Sequence, residues 1–425
     1  MDFTLSSEDK RYISKIIAHY RRQYYIETRN SKWTQESFVF NEYHEKICSR
    51  KTLGKIEKGE IILNNEIYEQ LLYNIYLKID YDKDLNDFHI YEICQILCNA
   101  IDFYDLDKVG GLLNEIIVQL EQYKEYVKFH EYYIFFNVIK WYYIDDITIE
   151  NDDLNLIIDL LDMLEKTLQE LLLNVLFKSK YKTQSDLFSN IFKMSKFSFN
   201  KINFTTMLFL SKRIQEANDH VICIKNDLIK KANMIRLADL LIVQLSFCSY
   251  GDINQFGKLI KEIELLLLKY GNKITFQKLL KSIEILGINA YKMGDFDLAE
   301  KYLLKKMMYD SDKSIESLIL LIDVYEKKNE IQNIMPLLKY DYKINDKHKK
   351  IYTFFKMKYK DKENYNVLAM FIINEIIMVL NEMDYIYKKI FYNQLIEFIK
   401  ITKQYKSLFM YLNKLEVKNS IWWSE

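Results

Sequence analysis

A short run of the sequence, residues 48–59, concentrates hydrogen-bond donors on one side of a predicted helix. Leu53 and Ile56 lie three residues apart, so both face inward on a helix while the polar side chains face solvent. Gly59 follows where a helix would end. Guanidinium, ammonium and hydroxyl groups donate to phosphate oxygens and to base edges, so this run predicts contact with double-stranded DNA. The candidate DNA-contacting residues of the run are Ser49, Arg50, Lys51, Thr52, Lys55 and Lys58.

The distribution of charge confines any such contact to the N-terminal region. The whole chain has 60 Lys/Arg and 60 Asp/Glu, which gives a formal net charge of +0. Residues 1–60 hold 12 basic and 9 acidic residues, a small local excess of positive charge. One copy should therefore bind DNA weakly and in a salt-sensitive way. Small DNA-binding domains gain affinity by binding two half-sites as dimers, so we expect a homodimer.

A second segment completes a known pattern. Thr34-Gln35-Glu36, together with residues 48–59, resembles the helix-turn-helix of the Xre/phage-repressor-like family. The resemblance implies that Gln35 reaches a phosphate or a base edge, and that residues 49–58 form the recognition helix. Glu57 is expected to pair with a basic neighbour inside the domain. Residues 38–48 are longer than the compact family form and alternate apolar with polar side chains, which predicts a small hairpin and leaves the groove angle open.

The elements that must position these residues are helices with recognisable caps. Ser6 or Ser7, Thr34, Ser49, and Asn64 or Asn65 stand where helix N-caps are expected, and together they predict four helices within residues 1–79. Residues 80–87 contain four aspartates and little to bury, so we place an acidic linker there. The predicted helix-turn-helix domain is therefore residues 1–79.

The remainder, residues 88–425, reads as successive helices of 12 to 18 residues with apolar stripes. Tyr291 opens a segment that recurs 34 residues later at Tyr325, and 34 is the period of tetratricopeptide repeats. The segment 290–302 resembles the middle of such a repeat, in which Ala290 and Ala299 allow close helix packing and Gly294 forms the turn. The predicted fold is all-α, a helix-turn-helix domain followed by a tetratricopeptide-like α-solenoid with a concave groove. The alternative is an irregular α-bundle.

Composition argues against several other classes. One proline and nine glycines are too few for the turns of an all-β fold or for the strand–helix junctions of an α/β fold. No phosphate-binding loop, metalloprotease motif or nucleophile elbow is present, and the six histidines are scattered, so we expect neither an enzyme nor a cofactor. Cys94 and Cys98 are interpreted as buried thiols rather than metal ligands. The polar N-terminus and the absence of a membrane-spanning stretch predict a cytoplasmic protein without a membrane partner.

The combined layout resembles the peptide-pheromone-responsive regulators of Gram-positive bacteria, the Rgg/PlcR/PrgX group. This resemblance implies quorum sensing, in which a short signalling peptide binds the repeat groove and alters DNA binding by a homodimer. Members of the group hold the peptide backbone with asparagine side chains, and Asn99, Asn137 and Asn289 are the candidates here. For any one of the three, an asparagine that is buried and satisfied within the fold is the more common case. A protein-binding helical-repeat adaptor, or a mobile-element repressor responding to a protein partner, remains the alternative function.

Overall fold

A computed structural model describes residues 5–403 apart from residues 81–87, 146, 148, 180–191, 249–252, 274–275, 310–314, 340–345, 362 and 381–382. The described residues contain no β-strand. Two isolated β-bridges occur among them, one between Phe40 and Lys46 and one between Lys78 and Tyr126. The chain divides into two compact units, Met1–Leu240 and Leu241–Glu425. The predicted linker falls largely on residues 81–87, outside the described residues.

The first unit begins with the predicted four-helix region. Its helices are α1 Ser7–Thr28, α2 Gln35–Phe38, α3 Arg50–Ile56 and α4 Asn65–Tyr73. The side chains of Ser6, Thr34, Ser49 and Asn64 each accept a hydrogen bond from a backbone N–H in the first turn of the following helix, which confirms the predicted caps. Gly59, with φ of +79°, follows α3 in the left-handed conformation that glycine adopts without steric cost.

Longer helices fill the rest of the first unit. They are α5 Ile90–Asp102, α6 Leu106–Glu121, α7 Phe129–Lys140, α8 Asn151–Leu160, α9 Lys166–Ser179, α10 Ser198–Leu210, α11 Ile214–Lys230 and α12 Met234–Ser246. The boundary between the two units lies within α12. A π-helical turn, Trp141–Asp145, extends α7, and a 3-10 turn, Leu161–Met163, joins α8 to α9. Neighbours in sequence pack together, as α5 does with α6 and α10 with α11, and α5 also packs on α9.

The second unit continues the pattern. Its helices are α13 Ile253–Tyr270, α14 Phe276–Lys292, α15 Phe296–Tyr309, α16 Ile315–Lys327, α17 Ile334–Leu337, α18 Asp346–Tyr359, α19 Tyr365–Phe371, α20 Ile377–Leu380 and α21 Tyr385–Thr402. Gly294, with φ of +77°, forms the turn between α14 and α15, and Ala290 and Ala299 are fully buried, as the sequence predicted. A Cβ on Gly287 would stand 2.8 Å from Leu303 Cγ, so α14 and α15 can approach this closely because residue 287 has no side chain.

The described helices include none long and apolar enough to cross a membrane. Cys94 and Cys98 are fully buried thiols, and burial raises the pKa of both. Across the described part of the chain, no three His, Cys, Asp or Glu side chains gather as metal ligands would.

Candidate nucleic-acid interface

The recognition-helix candidate, α3, is anchored by two apolar side chains. Leu53 and Ile56 are fully buried, and α3 packs against α2. At its N-terminus the Ser49 Oγ accepts a hydrogen bond of 3.0 Å from Thr52 N. Burial of the two side chains fixes the rotation of α3 about its axis, so the polar side chains on the opposite face of the helix point outward.

The outward positions are the basic ones that the sequence singled out. Arg50, Lys51, Lys55 and Lys58 are exposed, whereas Thr52 is half-buried beside Ser49. Arg50 forms an exposed ion pair with Glu36, and Lys55 Nζ stands 3.7 Å from a carboxylate oxygen of Glu60. Exposed ion pairs contribute little to stability, so a phosphate group can replace either carboxylate at small cost. The arrangement therefore presents three cations on α3 and a fourth, Lys58, in the turn that follows it.

Gln35, which the sequence resemblance assigned to a DNA contact, already has a hydrogen-bond partner inside the domain. Its Nε2 donates a 2.6 Å hydrogen bond to Glu57 Oε2, and the other oxygen of Glu57 accepts from Arg21. Arg21 also donates to the backbone oxygen of Trp33, 2.8 Å away. Both side chains of the Arg21–Glu57 pair are almost completely buried, which confirms the expectation that Glu57 pairs with a basic neighbour inside the domain. This network fixes the orientation of the Gln35 side chain at the start of α2, so Gln35 can contact DNA only in that orientation or by breaking its hydrogen bond to Glu57.

The segment between α2 and α3 is the predicted hairpin. An antiparallel bridge joins Phe40 to Lys46, and Ile47 N donates to the oxygen of Val39 at 2.8 Å. The side chain of Asn74, just after α4, donates to the oxygens of Phe38 and Phe40, each at 3.0 Å. The base of the hairpin is therefore fixed to the end of α4.

The three candidate peptide-binding asparagines occupy different environments. Asn99 is exposed on α5. Asn137 on α7 is half-buried and donates to Tyr133 O at 2.8 Å, while Asn289 on α14 is buried and donates to Ile285 O at 2.8 Å. Asn99 and Asn137 belong to the first unit, and Asn289 belongs to the second. The amides of Asn137 and Asn289 thus each satisfy a carbonyl of their own helix, and the assignment of all three remains a prediction.

Sequence reasoning missed a buried row of amides between α9 and α10. Asn203 Nδ2 donates to Asn174 Oδ1 at 2.7 Å, and the amide of Asn174 in turn contacts the hydroxyl of Tyr143. One turn away, Asn200 Nδ2 donates to Glu170 Oε2 at 3.3 Å. Asn200 Oδ1 is buried without a partner among the described residues. The only sequence signal was a set of polar residues inside strongly apolar helices, which does not reveal how those residues pair.

A second buried network joins α5, α10 and α12. The carboxylate of Asp102 accepts from Ser198 Oγ at 3.0 Å and from Phe199 N at 3.1 Å, so it caps α10 from another helix. Arg236 is almost completely buried and donates to Tyr104 Oη at 2.7 Å and to Asp239 Oδ2 at 3.0 Å. Its guanidinium carbon lies 4.0 Å from the centre of the Tyr104 ring. These contacts connect helices that are far apart in the sequence.

Comparison with known proteins gives a likeness of fold. No protein-family model and no curated protein matches the chain. The structure is similar to the apo form of the quorum sensor NprR from B. thuringiensis, with a TM-score of 0.53 and 15% sequence identity, over 78% of this chain and 99% of that chain. The all-α helical-repeat fold predicted from the sequence is therefore confirmed.

Proposed function

We propose that the protein is a sequence-specific, double-stranded-DNA-binding transcription regulator rather than an enzyme, and that it acts in the cytoplasm. The observation that carries this proposal is the arrangement of α3 and the turn after it, where two fully buried side chains leave Arg50, Lys51, Lys55 and Lys58 exposed to solvent. A capped helix with an outward row of cations fits the chemistry and dimensions of the major groove. The overall charge of the chain is zero, so this local row cannot be explained as part of a generally basic surface.

The proposed mode of binding is dimeric. Three exposed cations on the seven-residue helix α3 and one in the turn after it supply few phosphate contacts, and the strength of non-specific DNA binding rises with the number of such contacts. A homodimer that places two copies of α3 on two half-sites makes twice as many contacts and reads a longer sequence. We expect the affinity to fall steeply as salt rises.

The proposed control is a short signalling peptide bound by the helical repeats, as in quorum sensing. Support comes from the helical-repeat fold that the chain shares with NprR, a protein described as a quorum sensor. Asn99, Asn137 and Asn289 remain the proposed contacts to the peptide backbone, since asparagine both donates to and accepts from a peptide group. Asn99 is the most accessible of the three because its side chain is exposed.

The test is fluorescence anisotropy of the full-length protein against duplexes that tile the upstream region of its own gene. The variant Arg50→Ala/Lys55→Ala removes two cations from α3. The matched control, Lys108→Ala/Lys230→Ala, removes two exposed cations from α6 and α11, so both variants change the net charge equally. We expect specific binding by the wild type and by the control, and its loss in the α3 variant.

Two results would count against the proposal. Equal loss of binding in both double variants would mean that DNA responds to total charge and not to α3. Binding to upstream duplexes no tighter than to random DNA at low salt, with and without peptides encoded beside the gene, would favour the helical-repeat adaptor or a repressor that responds to a protein partner.

A further inference from the structure

The first helix, α1, has two occupied faces. One face belongs to the helix-turn-helix region, where the Tyr24 and Trp33 ring centres are 4.7 Å apart and Arg21 holds Glu57 at the end of α3. The other face meets helices of the repeat region, and α1 packs directly against α8. Long helices with both faces occupied connect the bodies on either side of them.

The contacts of α1 with the start of α7 are partly buried. Tyr12 Oη donates to Glu131 Oε2 at 3.2 Å, and both side chains are buried. The same carboxylate oxygen accepts from Lys128 N at 2.6 Å, while Lys128 Nζ reaches Asp9 Oδ1 at 2.6 Å. At this end of α1, polar and charged side chains of Asp9 and Tyr12 therefore bind the first turn of α7 and the residue that caps it.

The contacts of α1 with α8 lie one to two turns further along. His19 Nδ1 is 2.8 Å from Asp159 Oδ2, and Lys15 pairs with Asp162 and donates to the oxygen of Asp159 at 2.8 Å. A separate backbone hydrogen bond lies outside α1: Lys78 N, after α4, donates to the oxygen of Glu125, between α6 and α7, at 2.9 Å. We use the name α1 seam for the contacts of Asp9, Tyr12, Lys15 and His19 with Lys128, Glu131, Asp159 and Asp162.

We propose that the α1 seam fixes the orientation of α3 relative to helices α5–α9, so that the helix-turn-helix region and the first repeats move as one body. The sequence suggested a different arrangement, in which an acidic linker at residues 80–87 is the connection between residues 1–79 and the helical repeats. The seam makes α1 the physical connection, since α1 touches α8 on one side and holds α3 through Arg21 and Glu57 on the other.

The seam residues Asp159 and Asp162 are also close in sequence to α9, the helix that carries part of the buried amide row. Asp159 and Asp162 stand at the end of α8 and in the 3-10 turn, and α9, which carries Glu170 and Asn174, begins at Lys166. A cleft of about 520 Å³ opens between α1 and this turn, and Glu57 forms part of its wall. A displacement of α9 would therefore move Asp159 and Asp162, and with them the side chains of α1 that they contact. The significance of this route for DNA binding rests on the proposed function.

The test measures the distance between α4 and α6 in the full-length protein by pulsed electron spin resonance. Spin labels replace the exposed residues Glu69 and Val118, in a background where Cys223 and Cys248 are serine. The seam variant is Tyr12→Phe/Asp159→Asn/Asp162→Asn. Each substitution is nearly isosteric, so the fold is kept, and unchanged far-ultraviolet circular dichroism verifies this.

The charge-matched control is Asp107→Asn/Glu115→Gln, which removes two exposed carboxylates from α6. We expect one narrow distance distribution in the labelled parent and in the control, and a broadened or split distribution in the seam variant. A broad distribution in the parent, or an unchanged narrow one in the seam variant, overturns the proposal. Anisotropy on the same proteins separates the two ideas, because absence of DNA binding refutes the proposed function while the distance distributions still decide the role of the seam.

Discussion

The buried carboxyl group of Glu131 gives the sharpest quantitative prediction. Its side chain is completely buried between α1 and α7, and burial raises its pKa from 4.5 to about 7. Tyr12 and the backbone N–H of Lys128 donate to one of its oxygens, while Glu131 Oε1 has no partner among the described residues. The folded protein therefore binds a proton here more tightly than the unfolded chain does.

The sign and the size of the effect follow from linkage. Because the folded-state pKa lies above the unfolded value, stability falls as the pH rises from about 4.5 to about 7 and is constant above that window. A shift of this size corresponds to roughly 3 kcal/mol, at about 1.4 kcal/mol for each pH unit. The variant Glu131→Gln cannot ionise, keeps the shape of the side chain, and retains an oxygen that accepts from Tyr12. We expect the variant and the wild type to be about equally stable near pH 4.5, and the variant to be the more stable by roughly 3 kcal/mol at pH 8.

The assay is thermal unfolding followed by circular dichroism at several pH values between 4.5 and 8.5. For a unit of this size, roughly 3 kcal/mol corresponds to a difference in Tm of about 6–12 °C. Other titrating groups affect both proteins alike, so the difference in Tm isolates residue 131, and Glu115→Gln on the surface serves as the control. A variant that is less stable than the wild type by the same amount at every pH would refute the reasoning, because the carboxyl group would then not titrate in this window.

Three further predictions concern other parts of the first unit. Leu53→Ala should destabilise the N-terminal four-helix region by about 2–5 kcal/mol, since Leu53 is fully buried, and hydrogen exchange of α3 measures the loss; exchange rates equal to those of the wild type would show that α3 does not depend on this anchor. Arg236→Ala should cost about 3–5 kcal/mol in urea unfolding, because it removes the cation beside the Asp239 carboxylate and the donor to the oxygen of Ile101. Arg236→Lys keeps the charge but loses the stacking on Tyr104, so its stability should fall between those of the wild type and the alanine variant; a lysine variant as stable as the wild type would show that the guanidinium geometry does not matter. Asn74→Ala should speed exchange of the Ile47 amide about fivefold, as expected for the loss of roughly 1 kcal/mol at the base of the hairpin; unchanged exchange would mean that the hairpin is held by its own bridge.

Local signals in the sequence predicted the local structure well. The caps Thr34 and Ser49, the buried pair Leu53 and Ile56, and the turn at Gly294 all follow from the side chains of a few neighbouring residues. Such features depend on backbone geometry and periodicity, which a single sequence displays directly.

What the sequence did not disclose are pairings between distant segments. Tyr12 and Glu131 are 119 residues apart and Lys15 and Asp162 are 147 apart, so no periodic pattern relates them. The hydrogen bond between Gln35 and Glu57 was also not predicted, although the sequence analysis considered both residues. The direction of a side chain across a tertiary contact is set by packing, which the sequence does not display.

The α1 seam has a consequence for the order in which the protein is made. α1 is made before its partners on α7, α8 and the 3-10 turn after α8, which follow 119 to 147 residues later. At about 5–20 residues per second, α1 waits roughly 6 to 30 seconds before the face with Tyr12 and His19 is covered. The N-terminal region therefore completes its fold only after residue 162 has been made, and a chain stalled before α8 would present α1 half-covered to chaperones and proteases.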